Sequence, residues 1–118
     1  MLVVKVYGLV GVDGALVELK TKLKEIISQC SVKQSPGEPV FPEEKISVFT
    51  PQDEYREDLE GVDVEVKSRN SEIVFCGQEI ADSIVDFLQQ RSRGRLLIEA
   101  WVYWDSKDGR KLVGYALL

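Results

Sequence analysis

The chain has 118 residues, 44% of them hydrophobic and 30% charged, with a formal net charge of -5. This is the composition of one globular domain with a single core, and it excludes disordered, collagen-like and coiled-coil classes. The acidic balance argues against a nucleic-acid partner held by phosphate neutralisation, and no apolar run reaches the roughly 20 residues of a membrane span.

In chain order, residues 2–7 alternate as a strand, with Leu2, Val4 and Val6 on one face and Val3, Lys5 and Tyr7 on the other. Asp13 is placed to cap a helix. Its apolar stripe is Leu16, Leu19, Leu23, Ile26, Ile27 and Cys30, at the three-and-four spacing that buries one side. Residues 31–44 contain Pro36, Pro39 and Pro42 and read as a long connection. A strand over 45–50 ends at Pro51, and an acidic connection follows to Gly61. From Glu38 to Glu65 there are ten acidic residues against Lys45 and Arg56, a pattern that fits a solvated stretch. Residues 62–67 give the cleanest alternation, with Val62, Val64 and Val66 inward.

Residues 68–77 carry no readable pattern. A second helix then runs to about residue 91 with Ile80, Ala81, Ile84, Val85 and Leu88 on one stripe, and Gly94 is placed to stop it. The spacing predicts the central strand over residues 96–104, LLIEAWVYW, with Ile98, Ala100 and Val102 on one face and Leu97, Glu99, Trp101 and Tyr103 on the other. An Asp-Gly turn within 105–110 leads to a terminal strand over 111–118.

The expected fold class is α+β. Two strand-helix-strand repeats form a four-stranded mixed sheet with both helices on one face, and a short C-terminal strand completes the single domain, 1–118. The second face of the sheet, with Val3, Tyr7, Phe49, Leu97, Trp101 and Tyr103 beside Lys5, Lys45, Glu65 and Glu99, is then left open, as interfaces are in isolated subunits. Cys30 and Cys76 are expected to be buried thiols. With no histidine and no Cys-x-x-Cys spacing, no zinc site and no His-based triad is available. The spacing of Gly8, Gly11 and Gly14 is not that of a dinucleotide fingerprint, so no cofactor is expected. The N-terminal segment lacks a signal-peptide pattern, and the cytoplasm is the expected compartment.

The order and lengths of these elements, the strand KISVFTPQD and the segment RLLIEAWVYWD resemble the tautomerase superfamily, in particular its members similar to macrophage migration inhibitory factor. The resemblance implies a homotrimer whose three sheets form a barrel with the helices outside. It also implies keto-acid tautomerase chemistry driven by an N-terminal proline. This chain begins Met1-Leu2, so that base is missing, and the α-amine of Met1 is the remaining candidate. Lys33 resembles the lysine that binds a substrate carboxylate, and Glu99 stands where related members carry asparagine. Arg69 is a second candidate carboxylate ligand, while Trp101 and Tyr103 are candidates for a substrate box or for interface packing. A salt bridge from Glu99 to Lys5 or Lys45 is the competing structural role.

Three functions fit this reading: a tautomerase-like homotrimer without proline chemistry that binds a small carboxylate or acts as a scaffold; an isomerase or lyase using Met1 or Glu99 as base; or a ferredoxin-like interaction module. The resemblance further implies that Met1, Lys33 and Glu99 converge at a subunit boundary. The apolar end of the terminal strand predicts pairing with a neighbouring subunit.

Overall fold

The computed structural model describes residues 1–8, 16–32, 37–51, 61–92 and 97–118. Five strands form one mixed sheet: β1 (Leu2–Tyr7), β2 (Ile46–Phe49), β3 (Gly61–Ser68), β4 (Leu97–Ser106) and β5 (Gly109–Leu117), in the spatial order β2-β1-β3-β4-β5. β1 pairs with β2 and β3 with β4 in parallel, while β1/β3 and β4/β5 are antiparallel. Each parallel pair needs a crossover, which α1 (Leu16–Cys30) and α2 (Ile73–Ser92) supply. The helices pack on each other and on the sheet. No helix among the described residues is long and apolar enough to cross a membrane.

The core is the layer between helices and sheet, built by the alternation visible in each strand. Leu2, Val4, Val6, Val62, Val64, Val66, Ile98, Ala100 and Val102 turn toward the helices and are buried, meeting Leu19, Leu23 and Ile27 of α1 and Ile80, Ile84 and Leu88 of α2. At roughly 1.5–3 kcal/mol for each large aliphatic side chain, this layer is the main favourable term of folding.

Three expectations are corrected. The sheet has five strands rather than four, because the terminal segment is a nine-residue strand that folds back on β4 in the same chain through a two-residue loop, Lys107 and Asp108. That segment therefore pairs along one side within its own sheet. The middle strand is β3, paired on both sides, and β4 lies one place from the edge. Lys45 belongs to a short 3-10 turn, Glu43–Lys45, ahead of β2.

Two connections that the sequence leaves open are defined by the structure. The Pro-rich one sends Phe41 into the core, anchored by its N–H donating to Ser31 Oγ at 3.0 Å. α2 begins at Ile73, well before Gly77, with Asn70 Oδ1 accepting from the Glu72 N–H at 3.0 Å. The expected roles of Asp13, Lys33 and Gly94 lie outside the described residues.

Gly77 is a helix residue because α2 there touches β5. A Cβ on Gly77 would meet Val113, and one on Gly114 would meet the Gly77 carbonyl, so the two glycines let the backbones approach.

Candidate functional site

The face of the sheet away from the helices carries most of the residues singled out from the sequence. Register fixes its rows. One row runs Phe49, Lys5, Glu65, Trp101, Tyr115 across the five strands; a second runs Ser47, Val3, Lys67, Tyr103, Leu112; a third runs Tyr7, Asp63, Glu99, Leu117. Trp101 and Tyr115 pack at 5.8 Å between ring centroids, tilted by 47°. The Arg110 guanidinium lies 5.1 Å above the Tyr103 ring, bonds Asp105 at 2.9 Å and reaches Glu65 at 3.8 Å. Lys67 reaches Glu65 at 4.0 Å. Phe49, Leu97, Leu112, Tyr115 and Leu117 are exposed, while Trp101 and Tyr103 are half-buried. The result is an aromatic band on β4 and β5, beside charges on the middle strand of which Glu65 is paired with Lys67 and Arg110.

Glu99 accepts a hydrogen bond from Tyr115 Oη at 2.8 Å. This bond, followed by burial and the nearby carboxylate charge, raises the Tyr115 phenol above its ordinary range. The competing structural role for Glu99 is thus corrected: its partner is Tyr115 across the β4/β5 pair, not Lys5 or Lys45. Lys5 sits opposite Glu65, two residues along the sheet.

The remaining candidates divide between the two ends of the strands. Leu2 is level with Ser68 and Trp104, whereas Tyr7 is level with Asp63 and Glu99. Five residues at about 3.3 Å each separate the rows by roughly 17 Å. The Met1 amine and Glu99 are therefore at opposite ends of the sheet, and within one subunit they share no pocket. Arg69 and Tyr103 lie at the Met1 end, and Trp101 lies midway. Lys33 is outside the described residues.

The Met1 end is tied together by hydrogen bonds. Ser68 Oγ donates to the Met1 carbonyl at 3.0 Å, and Trp104 Nε1 donates to the Arg69 carbonyl at 3.2 Å. Lys111 lies 5.3 Å over the Trp104 ring. Among the described residues, no carboxylate is within ion-pair distance of Arg69 or of the exposed Met1 amine.

A shallow groove of about 640 Å³ between α2 and the C-terminal half of β5 was not anticipated. Asp82, Asp86 and Val85 form one wall, and Tyr115, Leu117 and Leu118 the other. Its sequence trace is the i,i+4 pair Asp82/Asp86 on the outer side of α2. Both cysteine thiols are raised above their ordinary value. Burial, with smaller contributions from Cys30 and Glu79, pushes Cys76 up to about 11, and burial also raises Cys30, whose Sγ lies 3.5 Å from Ser83 Oγ. Among the described residues, no group of three or more His, Cys, Asp or Glu side chains gathers as a metal site.

No family model, curated protein or solved structure matches the chain.

Proposed function

We propose that the chain is a tautomerase-like homotrimer without proline-based chemistry, with the open sheet faces turned toward the three-fold axis. The observation that carries this reading is a sheet with both helices on one side and, on the other, Phe49, Tyr115 and Leu117 exposed and Trp101 and Tyr103 half-buried. A face with large aromatic and aliphatic groups on β4 and β5 beside charges on the middle strand, Asp63, Glu65 and Lys67, is one that a second subunit could cover. The strand order supports the same reading. Two parallel strand-helix-strand units meet through an antiparallel β1/β3 pair, as a repeated unit would. A ferredoxin-like module would need β2 beside β3, and β1 lies between them.

A small carboxylate, on this reading, is met at the Met1 end by the α-amine and Arg69. Glu99 is too far away to act as their partner base, which weighs against an isomerase built on Met1 and Glu99 together. Acrylamide quenching of Trp101 fluorescence, in a Trp104→Phe background, tests the proposal. Trp101 should be shielded at high protein concentration and become accessible on dilution. Equal and ready quenching at every concentration would count against it.

A further inference from the structure

β5 is an outer strand, paired on one side only. Leu118 exchanges both main-chain hydrogen bonds with Ile98, at 2.9 and 3.0 Å, so Ala116 and Gly114 also face β4, while Tyr115 and Leu117 turn their N–H and C=O outward. Such an edge is a template for adding another strand. At Tyr115 both outward groups are already taken by one side chain. Gln78 Nε2 donates to the Tyr115 carbonyl at 2.7 Å, and the Tyr115 N–H donates to Gln78 Oε1 at 3.1 Å. A glutamine amide has the donor and acceptor of a peptide unit, so it stands where the next strand would stand. Its second N–H goes to Asp82 Oδ1 at 3.0 Å, one turn along α2, and the Gly77/Gly114 contact holds the helix near enough for the reach.

We propose that Gln78 is a plug that closes the β5 edge against antiparallel pairing with β5 of a second copy of the chain. The occupant is a second copy because two identical antiparallel edges are self-complementary about a two-fold axis. The exposed Tyr115, Leu117 and Leu118 flanking the edge would be covered by the same pairing. With the plug in place, the edge keeps one open residue, Leu117, in this half of the strand, too little for a ladder. Association through the open face then stays finite instead of growing edge to edge. This inference is independent of the trimer reading, since it concerns the edge and not the face.

Sedimentation velocity of wild type and Gln78→Ala, from micromolar to high micromolar concentration, tests it alongside hydrogen exchange of the Tyr115 amide. The variant should double whatever mass the wild type has, at the upper concentrations only, and in dilute solution its Tyr115 amide should exchange about tenfold faster. A mass that stays at the wild-type value at every concentration overturns the proposal, whatever the exchange rate. If the alanine variant does not fold, Gln78→Met carries the test. Its unbranched apolar side chain can neither accept from the Tyr115 N–H nor donate to its carbonyl, so Tyr115 should again exchange faster, and unchanged exchange refutes the plug.

Discussion

Replacing Gly77 by alanine separates a helix-propensity argument from a packing argument, because the two give opposite signs. On an exposed helix surface Gly→Ala stabilises by about 1 kcal/mol. At Gly77 the new Cβ would lie 2.7 Å from the Val113 carbonyl oxygen and 2.8 Å from Val113 Cγ2. Neither neighbour can yield alone, since Val113 is the extra residue at the β5 register shift between the Val102/Gly114 and Tyr103/Leu112 pairs. The relief available is for α2 to back away from β5, which loosens the buried layer of Ile80, Ala81 and Ile84. Overpacking of this kind costs about 1–3 kcal/mol, and a gap of 0.5–1 Å forfeits roughly a quarter to a half of each contact it opens. Set against the propensity gain, the net loss should be about 1 kcal/mol. With a urea m-value of roughly 2 kcal/mol/M for a chain of this size, the unfolding midpoint should fall by about 0.5 M at unchanged m. A midpoint that stays or rises would refute the close helix-strand contact. Gly114→Ala, whose Cβ meets the Gly77 carbonyl still more closely, should lose more.

The Tyr115 phenol, held up by its hydrogen bond to Glu99, should titrate above the ordinary value near 10, and Glu99→Ala should return it there. Because the folded form holds this proton more tightly, the associated stability is full below pH 10 and disappears as pH rises through the folded value; phenolate absorbance resolves the step among four tyrosines. In the native protein at pH 8, Cys30 and Cys76 should alkylate far more slowly than a free thiol and react at the normal rate in denaturant, whereas rapid native labelling would contradict the burial that raises both. Phenylpyruvate-type tautomerase turnover should be absent or slight, since the Met1 amine lies roughly 17 Å of strand from Glu99; turnover abolished by blocking that amine would contradict this.

Local pattern carried the elements and failed where the answer depended on direction or on contact between distant segments. The inward faces of β1, β3 and β4 were legible because Leu2/Val4/Val6, Val62/Val64/Val66 and Ile98/Ala100/Val102 alternate with polar or aromatic residues. Phe41 was hidden among prolines, where no periodicity marks it as core. Gly77 read as a boundary because its reason for being glycine is Gly114, 37 residues on. Within one subunit Met1 and Glu99 do not converge, for a topological cause. β1 is antiparallel to β3, and β3 is parallel to β4, so the start of β1 lies beside the end of β4, while Glu99 is near its beginning. The Gln78/Tyr115 bond was equally out of reach, since it requires knowing which strand is the edge.

The central claim is that the open face is a subunit interface, and the mass of the native particle addresses it most directly. Light scattering coupled to size exclusion at micromolar concentration should give three times the 13.3 kDa chain mass, and Trp101→Lys, which sets a charge in the aromatic band beside Tyr115, should return the mass to one chain while the fold survives. A wild-type particle of 13.3 kDa across that range would contradict the account.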